Sequence, residues 1–168
     1  MLNIIDVFSG AGGLTEGFRD HTQFKFICHI EMDKAACASL ELRNIYYYLK
    51  KINNLSPYFE YIQGKSSKEK LYSIVPNEIT SDILSLEISE STLSSIFDFI
   101  DNRLGADALD GIIGGPPCQA YSIIGRANNK KKKTSDTRIY LYKYYLDFCN
   151  RYKPKFFVFE NVKGLRSE

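Results

Sequence analysis

Asn3-Ile4-Ile5-Asp6-Val7-Phe8-Ser9-Gly10-Ala11-Gly12-Gly13 decides how this chain is read. An apolar run of strand length, Asn3 to Phe8, breaks into a glycine cluster, and a helix is predicted to follow through Phe18. A strand, a glycine turn and a helix open a parallel α/β unit, and the alternation continues outward from there. Lys25 to Glu31 reads as a second strand, after which Asp33 opens a helix over Ala35, Ala36, Ala38 and Leu40. From Asn44 to Ser85 the pattern weakens among tyrosines at 46, 47, 48, 58, 61 and 72, and this stretch reads as a partly helical insertion. Ile83 to Ile88 is a third strand. Leu93, Ile96, Phe97 and Ile100 then fall on one helix face. Leu109 to Ile113 is a fourth strand, running into Gly114-Gly115-Pro116-Pro117-Cys118. Beyond a polar, basic stretch ending at Thr137, Ile139, Tyr142, Leu146 and Cys149 mark the buried face of a last helix, and Phe156 to Phe159 a fifth strand. The expected fold class is α/β, a parallel sheet with helices on both faces.

Composition narrows the function classes. With 168 residues, 44% hydrophobic and 25% charged, the chain matches one globular domain and excludes a disordered segment. No run approaches the roughly 18 apolar residues of a membrane span. Met1 to Asp6 lacks the basic flank of a signal peptide. Cysteines at 28, 37, 118 and 149 form no C-x-x-C pair, so free thiols in the cytoplasm are expected. The net charge of +2 is uneven: Arg126, Lys130, Lys131, Lys132, Lys133 and Arg138, opposed by Asp136, put +5 into thirteen residues and leave −3 elsewhere. Such a segment suits an anionic partner, although a lysine run alone is more often a solvated loop.

In parallel sheets ligands bind beyond the carboxyl ends of the strands, and the informative residues fall there. The glycine cluster is not a dinucleotide fingerprint, because Thr15 stands where its third glycine belongs. It still admits a ligand close to the backbone, and the helix start behind it favours a carboxylate or phosphate. Glu31, 19 residues after Gly12, is placed to accept hydrogen bonds from ribose hydroxyls. A nucleoside without a pyrophosphate fits, S-adenosylmethionine first among them. Gly64-Lys65-Ser66 imitates the end of a P-loop but lacks the earlier glycine, at Phe59. His29-Ile30-Glu31 with Pro117-Cys118 imitates a zinc deaminase, yet the second cysteine is replaced by Tyr121. Cys118, on a turn stiffened by Pro116 and Pro117, is a candidate nucleophile whose thiol must lose its proton to react. Cys28, Cys37 and Cys149 read as small buried residues. Glu160, ending strand five, serves as a proton donor if it is walled in by apolar groups, and otherwise as a structural cap.

Three motifs together, Asp6-Val7-Phe8-Ser9-Gly10-Ala11-Gly12-Gly13, Gly114-Gly115-Pro116-Pro117-Cys118-Gln119 and Glu160-Asn161-Val162, resemble the cytosine-C5 DNA methyltransferases. Asp136-Thr137-Arg138-Ile139-Tyr140-Leu141 is similar to a further motif of that family, and Tyr121 to Arg126 looks like its bacterial restriction-associated members. The resemblance implies a Rossmann-like class I S-adenosylmethionine-dependent methyltransferase fold over residues 1–168, with a catalytic and DNA-binding loop at about 115–137 and an insertion at about 44–85. It also implies a mechanism. Cys118 adds to carbon 6 of a flipped-out cytosine while Glu160 protonates ring nitrogen 3, and carbon 5 then takes the methyl group, leaving S-adenosylhomocysteine. Phe8 would pack on the adenine. Backbone of Gly10, Ala11, Gly12 and Gly13 would hold the methionine end, and Glu31 the ribose. Met32 stands where the family often has an aromatic residue. Asp82 and Glu87 both fit the adenine amino group; Glu87, followed by Ile88, is preferred because a serine and a helix come next. Pro117 and Leu141 would line the methyl pocket. Gln119, Ser122, Arg126 and Lys130 to Lys133 would meet double-stranded DNA.

The family runs on past this point. Its base-holding arginine motif, target-recognition domain and last motif have no counterpart here, nor do the last strands of its sheet. The expectation is an incomplete catalytic half, whether shortened or one subunit of a split enzyme whose second polypeptide carries the rest. Two other classes share these features: a non-catalytic cofactor or nucleic-acid binding module, and a transfer-RNA cytosine-C5 methyltransferase.

Overall fold

The computed structural model describes residues 1–19, 22–116 and 141–160. Five parallel strands form one sheet: β1 (Leu2–Val7), β2 (Phe24–Glu31), β3 (Ile83–Ser85), β4 (Gly111–Gly114) and β5 (Phe156–Phe159), in the order β3-β2-β1-β4-β5. The helices are α1 (Gly13–Arg19), α2 (Lys34–Lys51), α3 (Ser56–Ile62), α4 (Lys68–Ser73), α5 (Leu93–Leu104) and α6 (Leu141–Tyr152), with one 3-10 turn at Asn77–Ile79. The order steps outward from β1 in both directions, so the carboxyl ends of β1 and β4 flank the point where connections reverse.

The two faces of the sheet differ. Ile5, Val7, Cys28, Ile30 and Ile112 pack with Ile96 and Ile100 of α5 and Tyr145 and Phe148 of α6 into one apolar core. The Tyr145 hydroxyl lies 3.0 Å from the carbonyls of Ile112 and Val158, tying α6 to β4 and β5. Toward α1 and α2 the central strands present Ile4 but also Asp6, paired in register with His29 of β2. The β1–β2 ladder slips one residue between Ile4 and Ile5. This bulge brings Phe26 and His29 together, their rings stacked at 4.9 Å.

Asp33 caps α2 as the sequence implies, its carboxylate accepting from the amides of Ala35 at 2.7 Å and Ala36 at 3.4 Å. Where the pattern weakened after Asn44, α2 in fact continues to Lys51, with Cys37, Leu40, Asn44, Ile45 and Leu49 buried. Asn44 interrupts the apolar period because its side chain is used inward: it donates to the Ile79 carbonyl and the Asp82 carboxylate and accepts from Arg19. The tyrosines beyond it build a second, smaller core with α3 and α4 around Ile45, Leu49, Leu71 and Val75.

Two expectations need correction. The third strand is shorter than Ile83–Ile88, because the chain leaves the ladder after Ser85 and Ile88 turns into the core. The buried face of α6 is Tyr145 and Phe148, whereas Tyr142 and Leu146, at 37% and 52% exposure, face outward. The apolar spacing was read in the wrong phase, since both faces of this helix carry large side chains. Among the described residues β5 is an edge strand, with Phe157 62% exposed.

Candidate active site

At the carboxyl end of β1 the backbone enters an unusual conformation at once. Phe8 has φ +59, a left-handed setting that costs a bulky residue of order 1–3 kcal/mol. Its ring still packs against the apolar core. Ser9 fixes the turn by donating its hydroxyl to the Asp6 carbonyl at 2.7 Å. Glu31, ending β2, reaches across: its carboxylate accepts from the Gly10 amide and, through its other oxygen, from the Asp33 amide, both at 2.8 Å. One side chain thus ties the glycine loop to the start of α2. Ala11 is exposed, Gly12 buried, and Gly13 begins α1. Met32, next to Glu31, is 61% exposed.

Glycines at the exit of β4 bring three strands together. A Cβ on Gly114 would overlap the Val7 carbonyl of β1, and one on Gly115 the Glu160 carbonyl just beyond β5. Gly114 also has φ +132. The Glu160 amide donates to the Gly114 carbonyl at 2.9 Å. The segment leading to Cys118 therefore leaves the sheet wedged between the glycine-loop strand and Glu160.

Glu160 is exposed rather than walled in, because the edge strand before it has no neighbour on its outer side among the described residues. Glu87 is exposed two residues past the end of β3, and its carbonyl accepts the Thr92 hydroxyl at 2.6 Å. Asp82 lies before β3, at the opposite end of the strand, and is held by Asn44 at 2.9 Å. Leu141 is the half-buried first residue of α6. Pro117, Cys118, Gln119, Ser122, Arg126 and Lys130 to Lys133 lie outside the described residues.

The sequence reading missed Asp6. Its side chain is fully buried; one oxygen accepts the Thr15 hydroxyl at 2.5 Å and the other has no partner. Burial pushes this carboxyl up to about 6, against the lowering effect of the Thr15 hydrogen bond. His29 beside it is equally buried with neither ring nitrogen hydrogen-bonded, its Nδ1 standing 3.6 Å from Asp82. The available signal was an acidic residue inside an otherwise apolar strand. Among the described residues no group of His, Cys, Asp and Glu is arranged to hold a metal.

A parallel sheet in this order, with a glycine loop after β1 and a carboxylate ending β2, is the Rossmann-like fold of the S-adenosylmethionine-dependent methyltransferases. The structure of a DNMT2 mutant of Spodoptera frugiperda shares it, with a TM-score of 0.50 at 16% identity over 100% of this chain and 38% of that one. The chain belongs to the C-5 cytosine-specific DNA methylase family, whose model matches residues 71–168. It is 36% identical over 182 residues to the type II methyltransferase M.Bpa9945I of Bacillus paralicheniformis, covering 96% of this chain and 41% of that protein. With the type II methyltransferase M.DdeI of Desulfomicrobium norvegicum it shares 31% over 166 residues, 99% of this chain and 29% of that one. The chain thus spans less than half the length of either relative. No described helix is long and apolar enough to cross a membrane.

Proposed function

We propose that this chain is the cofactor-holding and nucleophile-bearing part of a DNA cytosine-5 methyltransferase of the restriction-modification kind. The observation that carries the reading is the wedge at the end of β4, where Gly114 and Gly115 bring the approach to Cys118 against the glycine-loop strand and Glu160. The donor set suits S-adenosylmethionine. Glu31, already orienting the loop through two amides, keeps lone pairs for ribose hydroxyls. The exposed Met32 offers an adenine edge, as does Phe8. Glu87, beyond the carboxyl end of β3, suits the adenine amino group better than Asp82, which Asn44 holds at the other end. Ile88, packed in the core, supports that contact from behind. Gly10 to Gly13 face the methionine end; Pro117 and Leu141 border the methyl group.

When bound, the cofactor supplies the methyl group. The residues do the rest. Cys118 adds as thiolate to carbon 6 of the flipped cytosine, which makes carbon 5 nucleophilic. Glu160, exposed in this chain, is enclosed once the flipped base and the polypeptide that covers this edge are in place; there it gives a proton to nitrogen 3 and neutralises the charge that addition creates. Loss of the carbon 5 proton after transfer expels the thiolate and restores the ring. Gln119, Ser122, Arg126 and Lys130 to Lys133 contact double-stranded DNA, and the field of the lysines makes binding salt-dependent. Base holding and sequence reading belong to polypeptide beyond the portion matched here, in the same or a second chain. The test is transfer of labelled methyl groups to mixed-sequence DNA, first by the 168-residue chain alone, then with the remaining half of a relative, each beside Cys118→Ser. The reading expects silence alone and Cys118-dependent transfer in the mixture. Full activity alone refutes the division, and transfer that survives Cys118→Ser refutes the mechanism.

A further inference from the structure

A cavity of about 420 Å3 is lined by residues of α1, α2 and α3. Its size is within the range of small-molecule sites. Ser39, Arg43, Tyr46 and Tyr47 recur along one face of α2, and α1 and α3 add Glu16 and Tyr58. The Glu16 carboxylate is already engaged, by the Tyr47 hydroxyl at 2.6 Å, Arg19 at 3.1 Å and Arg43 at 3.5 Å. Arg43 is not saturated. Its guanidinium carries five N–H donors, and the long contact to Glu16 is its ion pair among the described residues, while its side chain is 41% exposed. The Arg43 stem passes the glycine loop, its Cδ lying 3.7 Å from where a Cβ on Gly12 would stand. The Tyr46 ring meets Tyr47 and Tyr58 edge to face, at 5.3 and 5.2 Å. A neutralised carboxylate, a guanidinium with donors to spare and adjoining aromatic rings suit an anion linked to a flat ring.

We propose that the cavity between α1, α2 and α3 binds a nucleoside monophosphate, its phosphate on Arg43 and its base against Tyr46 and Tyr58. The cavity shares no lining residue with the strand-end site, although Arg43 passes close to Gly12, and its occupant needs no adenine. The probe is therefore uridine monophosphate, titrated calorimetrically into the 168-residue chain. One saturable site is expected, weakened about tenfold or more by Arg43→Ala and by Tyr58→Ala, and unchanged by Glu31→Gln. Arg43→Lys, which keeps charge and stem but loses the fork, should also weaken binding, with far-ultraviolet circular dichroism checking the fold. No saturable binding up to about 5 mM, an affinity too weak to count as a site, overturns the proposal. Binding lost in Glu31→Gln but kept in Arg43→Ala also overturns it, by assigning the nucleotide to the strand ends.

Discussion

Replacing Asp6 by Asn should change how stability depends on pH in a way that reports on one buried carboxyl. In the folded chain burial pushes this carboxyl up to about 6 from its ordinary value of 3.8. A raised acid binds its proton more tightly folded than unfolded. Its contribution is therefore fully present below pH 3.8 and is lost as pH rises through 6. The difference of about 2.2 pH units corresponds to about 3 kcal/mol at 1.36 kcal/mol per unit. Asn keeps an oxygen for the Thr15 hydroxyl but turns a donor toward the position where one carboxyl oxygen has no partner, at a cost of about 1–3 kcal/mol at every pH. The absolute stability at pH 7.5 thus mixes two opposed effects, whereas the slope does not. Urea midpoints read by circular dichroism between pH 4 and 7.5 should show the wild-type chain losing roughly 2 kcal/mol relative to Asp6→Asn, the remainder of the full difference falling below pH 4. His29, Glu31 and Glu160 interact with the Asp6 charge, so the slope difference reports the carboxyl together with those couplings. Parallel profiles would refute the reasoning and mean that Asp6 is hydrated in the folded state.

Other substitutions probe separate joints. Gly115→Ala must push the Glu160 backbone away, so urea unfolding should show a loss of about 2 kcal/mol or more. Tyr145→Phe removes the hydroxyl between the Ile112 and Val158 carbonyls and should cost about 1 kcal/mol in the same assay. Asp33→Ala deletes the α2 cap and should cost about 1 kcal/mol, and it also loosens the residue whose amide Glu31 holds.

The sheet was legible because its central strands are buried on both faces and read as short apolar runs punctuated by glycine, proline and acidic residues at their carboxyl ends. The candidate residues Gly10 to Gly13, Glu31 and Glu160 could be placed at strand ends for the same reason: glycines and acidic residues stand out against such runs. Three features escaped. Asn44 masks the middle of α2, because a buried amide satisfied by Ile79, Asp82 and Arg19 looks like a helix break in one dimension. Helix α6 carries Tyr142 and Leu146 on its outer face, so apolar spacing alone gave the wrong phase. Asp6 looked like part of the glycine motif, and its burial depends on Thr15 and His29, which approach only in three dimensions.

The most direct test of the account is binding of labelled S-adenosylmethionine to the 168-residue chain by equilibrium dialysis, with Glu31→Gln alongside. The strand-end site requires one saturable site, weakened about tenfold or more in the variant, since the neutral amide loses charge-assisted bonds to the loop amide and the ribose. Saturable binding that Glu31→Gln leaves untouched, or none at millimolar cofactor, would contradict it.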